Sequence, residues 1–489
     1  MAFISAQFVI FFVAVVVVHF MLPVRARWIW LLAASLFFYG LAEPIFLIQI
    51  LAATSVSFWL GKRIEAAPDK KAKQPIMALG VILLTANLVV FKYTPFLNET
   101  LRSLLGIAQI EYPVPELKWL LPIGISFYTF QLISYLVDVF RGQQKAEREF
   151  GAFALYVTFF PKLVAGPIER AKNLLPQIHA NPAFNRIDVM LGFQLILWGA
   201  FKKVFVADRI APFVNAIYDN PEAANGVQII FATWLYAFQL YCDFSGYTDI
   251  ALGIGLIFGY RLTQNFNRPY FATSIQDFWK RWHISLTSWL TDYIYTPLTR
   301  QRTFKIKLFN LMLYSLFITF VVSGLWHGAA WTYVVWGALH GAYIVVSLLL
   351  QKRWNTFARA VKLTERPNIY RGLKIAVTFS LVCFAYIFFR ASSMGDALHM
   401  VASLGTGWMD FKSNLLSVVD GRRNEFFLAL IGIAVVMGAE ILQGRLDMRK
   451  TIEARPVWMR WSLYYVGTLA VVLLGAFYGA QTDFIYFRF

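Results

Sequence analysis

VVSGLWHGAAWTYVVWGALHGAY, residues 321–343, is the stretch that decides the fold class of this chain and points to its chemistry. It is aromatic, rich in small residues and almost uncharged, yet it carries two of the six histidines, His327 and His340. A run this apolar belongs inside a membrane, where an imidazole that can exchange a proton near neutral pH needs a partner, a water-filled cavity or a catalytic role. The stretch therefore predicts a membrane protein with His327 as candidate base.

The composition of the whole chain supports this prediction. Its 489 residues are 58% hydrophobic and 15% charged, whereas an ordinary soluble protein has about 25% charged residues. Segments of roughly 20 apolar residues, long enough to cross a bilayer core, number about eleven, with one or two candidate half-spans. The first segment has no basic region before it and is predicted to be a retained span. We predict a single all-α, polytopic membrane domain over residues 1–489.

The net charge of +18 does not indicate a nucleic-acid partner. Lys and Arg are scattered through short loops between apolar segments, as the positive-inside rule describes, so anionic membrane lipids are the expected counter-charge. Cys242 and Cys383 are far apart and have no metal-binding or redox spacing. No His or Cys spacing in the sequence favours zinc, and we expect neither a metal nor a bound cofactor.

Loop charge gives a predicted topology. The basic loops 61–75, 141–149 and 299–307 are predicted to be cytoplasmic, which places both chain termini outside. His327 then lies at a joint between two helices on the outer half of the membrane. The run 150–177, interrupted by prolines, is predicted to be re-entrant or interfacial.

Three segments in the middle of the chain carry specific structural predictions. Lys202 and Lys203 interrupt the apolar run 188–206 and are expected to extend to a membrane interface. The run 227–260 is long enough for a pair of helices, and its glycines at 253–259 indicate close helix packing. The segment 273–298 has a helix-start signal and alternating charges and tryptophans, so we predict one interfacial amphipathic helix containing His283.

Two interpretations of each polar residue stay open at the sequence level. Trp326 and Gly328 flank His327 at the predicted helix break, which favours function, whereas a hydrogen bond to a neighbouring helix explains His340 equally well. Asp243 and Asp249 lie inside an apolar run and either support catalysis or pair with a cation. The candidate cations are Arg261, Arg268, Lys280 and Arg281. The tract NFNRPYF, with Asn267, lines a ligand path or is a simple loop, and we interpret the remaining histidines as structural: His19, His179 and His399.

Five sequence words together resemble the membrane-bound O-acyltransferase family, in its branch of bacterial alginate O-acetyltransferases and D-alanyl transfer membrane proteins. They occur in the same order and extend over most of the chain. The words are LPIGISFYTFQLISYLVDVFRG (121–142), FFPKLVAGPIER (159–170), QLYCDFSGYTDIALGIG (239–255), NFNRPYFATSIQDFWKRWHISLTSWLTDYIYTPL (265–298) and GLWHGAAWTYVVWGALHG (324–341).

The resemblance implies a ring of helices around a central tunnel, with His327 of the W-H-G word as catalytic histidine and His283 of the R-W-H-I-S-L word as its companion. It also implies a donor and an acceptor: an acyl group, most often acetyl, passes from a cytoplasmic thioester (acetyl-CoA or a carrier-protein thioester) to the outer side of the membrane. The implied division is peripheral helices about 1–94, catalytic core about 117–351, C-terminal helices about 370–480 and an outward tail 481–489.

The C-terminal FIYFRF resembles an ending in this family whose tyrosine is implicated as an acyl relay, here Tyr486. The alternative is an aromatic anchor at the membrane interface. The chain departs from alginate-type members after residue 295, where TPLTRQRTFKIK lacks their glycine-rich turn. Alginate is therefore one candidate acceptor beside cellulose, another exopolysaccharide, peptidoglycan, a D-alanylated polymer or a lipid, reached through a periplasmic acetyltransferase partner.

A different class, a proton-coupled transporter or flippase, would use the same histidines and carboxylates as a proton relay. The chain has no convincing internal repeat, which many transporters have, so the acyltransferase is favoured. The expected location is the bacterial inner membrane, with several passes.

Overall fold

The computed structural model describes residues 3–117, 120–301, 307–446, 451, 454–476 and 484–485, and every regular element within these ranges is helical. It divides into two compact units. The first contains Met1–Ile196 and Ile250–Thr263, and the second contains Leu197–Asp249 and Gln264–Phe489. The all-α class is confirmed.

The first unit is built from long helices followed by short ones. Ser5 accepts a hydrogen bond from the Phe8 amide at the start of the first helix, and Asp69 caps the fourth in the same way. The helices are α1 (Ala6–Met21), α2 (Val24–Ala42), α3 (Pro44–Ala66), α4 (Lys70–Leu88), α5 (Thr94–Ile107), α6 (Ile125–Phe140), α7 (Phe150–Thr158), α8 (Phe160–Leu163), α9 (Ala171–Ala180) and α10 (Arg186–Ala200), which continues beyond the unit boundary.

The second unit contains the predicted site residues. A π-helical segment, Phe201–Ala207, continues α10 into it. Its further helices are α11 (Asp208–Tyr218), α12 (Gly226–Ile257), α13 (Ile275–Trp279), α14 (Ile284–Leu290), α15 (Thr296–Thr299), α16 (Leu308–His327), α17 (Trp331–Ala360), α18 (Pro367–Arg390), α19 (Met394–Ser403), α20 (Phe411–Ser417), α21 (Arg423–Gln443) and α22 (Val457–Leu474).

Among the described residues, nine helices are long and apolar enough to cross a membrane, so the multi-pass prediction is confirmed. The helices α1 and α6 are apolar but shorter. The predicted count of about eleven, the orientation of the termini, the tunnel and the single domain stay predictions. The nine are Val24–Ala42, Pro44–Ala66, Lys70–Ile107, Arg186–Tyr218, Leu308–His327, Trp331–Ala360, Pro367–Arg390, Arg423–Gln443 and Val457–Leu474.

Two predictions about helix boundaries in the middle of the chain are wrong. The run 227–260 forms one helix, α12, because it holds no helix-breaking residue before its end. The segment 273–298 does not form one helix: α13 starts at the predicted cap Ser274, whose hydroxyl accepts from the Asp277 amide, but ends at Trp279. A left-handed residue, His283, then separates it from α14.

Close glycine packing shapes both units. In the first, a Cβ on Gly253 would lie 2.4 Å from the carbonyl oxygen of Gly192, so the predicted close packing of the 253–259 glycines is confirmed. In the second, a Cβ on Gly324 would meet the Tyr333 carbonyl oxygen at 2.2 Å. Only glycine permits such an approach between α16 and α17.

The predicted helix joint at His327 is confirmed. Helix α16 ends at His327, and Gly328 continues in an extended conformation before α17 begins at Trp331. A side chain at Gly328 would overlap the Tyr333 ring at 2.1 Å, so the turn requires glycine. The hairpin of α16 and α17 therefore places His327 at the end of one helix.

Candidate active site

Two buried imidazoles meet in the second unit. His283 lies at the start of α14 and His327 at the end of α16, and their ring centroids are 6.3 Å apart. His283 is 0% and His327 3% exposed. This spacing allows both rings to reach one small reacting group, as paired acid–base residues require.

The backbone of His283 is held in an uncommon conformation. Its φ of 45° and ψ of 53° lie in the left-handed region, which few residues other than glycine adopt. The buried Asn265 fixes it, because its carbonyl oxygen accepts from the Ile284 amide at 2.9 Å and its Oδ1 from the Ser285 amide at 3.2 Å. Strain that is over-determined by its surroundings is a feature of functional sites.

Asn265 is a residue of this site that the sequence does not reveal, since the pattern draws attention to Asn267 in the same tract. The structure places Asn267 at the surface, where its amide donates to the Arg281 carbonyl at 2.9 Å and its Oδ1 accepts from Arg268 Nε at 3.3 Å. Its hydrogen bonds therefore serve the loop rather than the histidine pair. The two asparagines differ only in which way the loop turns, and no sequence pattern distinguishes them.

Aromatic rings pack around His283. The Phe244 ring lies 4.8 Å away, edge to face, and the Trp326 ring lies 5.8 Å away. Burial lowers the pKa of His283 to about 3, because the charged imidazolium loses its hydration, although a hydrogen bond with its own backbone opposes this. His283 is therefore a neutral imidazole near pH 7.

His327 also lies among aromatic rings: Trp326 at 5.0 Å, Trp336 at 4.9 Å and Phe389 at 5.5 Å. Trp326, predicted as a support residue, thus contacts both histidines. Trp336 is almost perpendicular to the imidazole and presents its edge or face to it. These rings fix the orientation of His327 and surround it with apolar surface.

His340 lies one contact further away. Its Nδ1 accepts a hydrogen bond of 3.2 Å from the Trp279 indole, which comes from α13, and its ring is 5.0 Å from Trp336. The hydrogen bond to a neighbouring helix, one of the two interpretations of His340, is present. Through Trp336, His340 also supports the surroundings of His327.

The carboxylates of α12 are paired, but with other cations than those predicted. Lys203 Nζ lies 2.7 Å from Asp243 Oδ1, and Lys202 Nζ lies 2.6 Å from Asp249 Oδ2. The prediction that Lys202 and Lys203 reach a membrane interface is wrong: their side chains are 4% and 1% exposed. Opposite charges brought together in the interior offset the desolvation that reaching an interface would otherwise avoid.

Two predictions about the site lie beyond what these contacts test. Tyr486 is outside the described residues. Within the described ranges, no group of three His, Cys, Asp or Glu side chains is arranged to hold a metal ion.

Known proteins resemble this chain over most of its length. The family model described as MBOAT, membrane-bound O-acyltransferase family, matches residues 80–390. A probable alginate O-acetylase of Azotobacter vinelandii is 37% identical over 392 residues, covering 79% of this chain and 74% of that protein. A peptidoglycan O-acetyltransferase of Helicobacter pylori is 34% identical, covering 77% and 73%. A teichoic acid D-alanyltransferase of Bacillus subtilis is 28% identical, covering 55% and 68%.

Proposed function

Since this chain belongs to the membrane-bound O-acyltransferase family, we propose that it moves an acetyl group from a cytoplasmic thioester donor to the hydroxyl groups of an exopolysaccharide. The observation that carries the proposal is the buried pair His283 and His327. A transporter has no support from the family, whose members are enzymes.

The chemistry needs a base, an oriented hydroxyl and protection from water. Neutral His327 takes the proton of the acceptor hydroxyl, whose oxygen attacks the thioester carbonyl. The tetrahedral intermediate collapses, the C–S bond breaks, and the leaving thiolate takes the proton from His327. His283 orients the reacting group and stabilises the charge on the carbonyl oxygen. The aromatic residues around both rings exclude water that would hydrolyse the thioester.

Alginate is the acceptor that we propose first. Support comes from several relatives named as probable alginate O-acetylases, at 34–37% identity. Peptidoglycan is the second candidate, since a peptidoglycan O-acetyltransferase is 34% identical over a similar share of the chain. The glycine-free segment after residue 295 supports a donor or carrier surface that differs from that of alginate-type members.

The donor is acetyl-CoA or a carrier-protein thioester, used as a substrate rather than held as a cofactor. We place the enzyme in the bacterial inner membrane with both termini on the periplasmic side, where a periplasmic acetyltransferase partner delivers the group to the polymer. Tyr486 is the proposed first acceptor: its phenol oxygen would form the ester that the partner then consumes. The FIYFRF ending supports this role.

The test is acetyl transfer by the full-length protein in membrane vesicles, with a radiolabelled thioester and the polymer supplied. His327→Ala should abolish transfer while the protein remains inserted at the normal level. His399→Ala is the matched control, because His399 is exposed on α19 and bonds only weakly, at 3.4 Å, with Ser403. Undiminished transfer by His327→Ala would refute the assignment of the base.

A further inference from the structure

The chain near its C-terminus is fastened to the helices of the second unit. The amide of Ala476 donates to the Val204 carbonyl at 3.2 Å, and the amide of Ile485 donates to Asp243 Oδ2 at 2.9 Å. Phe484 is 1% exposed, and Ile485 packs against the hydrophobic core. We propose that Asp243 is a positioning residue that holds this C-terminal segment for acyl transfer, an inference that rests on the proposed function.

Asp243 is suited to hold a backbone amide because both of its oxygens accept. Oδ1 takes the Lys203 ammonium and Oδ2 takes the Ile485 amide. Lys203 also lies 2.7 Å from Asp208, so two carboxylates share one buried cation. The resulting cluster is electron-rich, and an ionised acceptor forms stronger hydrogen bonds to N–H groups than a neutral one.

The aromatic side chain before Ile485 completes the attachment. The Lys203 ammonium lies 4.6 Å from the centre of the Phe484 ring, within cation–π range. Tyr247, one helical turn after Asp243 on α12, meets Phe484 edge to face at 5.0 Å. If the segment left, the carboxylate would lose a donor and the ammonium would lose a ring, so docking and the ion cluster stabilise each other.

The attachment point is next to the histidine pair. Phe244, the residue after Asp243, packs on His283 at 4.8 Å. The same turn of α12 therefore faces the C-terminal segment through Asp243 and the active site through Phe244. Tyr486 follows Ile485 directly in the sequence, so holding Ile485 limits where the next residue can reach.

Asp243→Asn is a sharp probe of this role. An amide side chain has one acceptor oxygen where the carboxylate has two. The ammonium of Lys203 competes better for that oxygen, which leaves the Asn NH2 group facing the Ile485 amide, donor against donor. Asp249→Asn is the matched control, since Asp249 makes the same kind of buried ion pair but directs its carboxylate to Lys202 rather than to the amide of Ile485.

Hydrogen–deuterium exchange of the full-length protein in nanodiscs, followed on the C-terminal peptide, measures docking directly. We expect Asp243→Asn to raise the exchange rate roughly tenfold or more, and Asp249→Asn to leave it at the wild-type value. Ile485→Pro removes the donor without changing any charged group, and should give the same increase. The double variant Asp243→Asn/Ile485→Pro should exchange no faster than either single variant.

Activity in the same preparations decides whether docking serves transfer. Asp243→Asn and Ile485→Pro should lower kcat for polymer acetylation at least about tenfold and leave KM for the thioester unchanged, because holding the acceptor segment does not alter thioester binding. Unchanged exchange in both variants would overturn the positioning role, and so would faster exchange with normal kcat. His327→Ala separates the two proposals: it should lose transfer while its C-terminal peptide exchanges at the wild-type rate.

Discussion

The most demanding prediction concerns Gly337, where α16 and α17 approach most closely. A Cβ at this position would lie 2.3 Å from the Phe320 carbonyl oxygen and 3.1 Å from the Cα of Gly324. Both neighbours are backbone atoms, which cannot turn aside as a side chain can. Gly337→Ala should therefore move the two helices apart.

The size of this movement follows from the distance. Ordinary contacts of a Cβ begin at 3.4 Å, so the alanine requires 3.4 − 2.3 = 1.1 Å of displacement. Trp336, the preceding residue, packs on His327 at 4.9 Å and would move with α17. A misplacement of about 1 Å at a catalytic group can cost about 100-fold in rate, so we expect kcat to fall about 100-fold.

The assay is acetyl transfer at saturating donor, with the thermal unfolding of purified protein measured in parallel. Gly341→Ala is the control: it lies one turn further on α17, and its Cβ would meet Phe317 Cα at 3.1 Å, requiring 3.4 − 3.1 = 0.3 Å. It should retain most activity, since alanine also favours the helix by up to about 1 kcal/mol. Equal kcat for Gly337→Ala and Gly341→Ala would refute the idea that helix spacing sets the position of His327.

Two further predictions concern charge. Burial lowers the pKa of His283 to about 3, so this residue stays neutral between about pH 5 and pH 9 and its protonation does not shape the activity profile there; in a pH series, His283→Gln should lower kcat/KM at every pH without moving the midpoint of the acid limb, and a moved midpoint would contradict a neutral His283. Lys202→Met leaves the Asp249 carboxylate buried without its cation and should lower the free energy of unfolding by about 3–5 kcal/mol, whereas Lys202→Met/Asp249→Leu should recover much of the loss; thermal unfolding measures both, and additive losses would contradict the pairing.

The sequence alone predicts what depends on local pattern. Apolar runs of the length of a bilayer predict the multi-pass helices, and Gly328 after His327 predicts the helix joint at the site. These features are confirmed because each depends on a few consecutive residues. The roles of His327, His283 and Tyr486 rest on the family resemblance and stay predictions.

The partners of charged residues could not be predicted in this way. Lys202 and Lys203 follow an apolar run, a position from which lysines commonly extend to an interface. Their carboxylates, Asp249 and Asp243, are 47 and 40 residues away along the chain, since 249 − 202 = 47 and 243 − 203 = 40. The π-helical segment Phe201–Ala207 turns both lysines inward, and no periodicity in the sequence shows that segment in advance.

The break at His283 has the same origin. Propensity and charge pattern favour a continuous helix through 273–298, but Asn265 supplies two acceptors for the amides of Ile284 and Ser285 from a distant loop. A helix continuing through His283 would have to satisfy those amides itself and would lose both contacts. Tertiary hydrogen bonding thus overrides local preference where the strained histidine is needed.

The site separates two kinds of polar chemistry along one turn of α12. Aromatic rings surround His283 and His327, and the low polarity of such surroundings favours the neutral imidazole that can act as a base and strengthens its interaction with a developing oxyanion. The full charges of Asp243 and Lys203 lie one residue beyond Phe244, where they hold the C-terminal segment. Had the ion cluster faced the imidazoles directly, its carboxylates would favour protonated histidine and weaken the base. Phe244 therefore has two roles, because it covers His283 and also keeps the charge that positions the chain away from the charge that forms during acyl transfer.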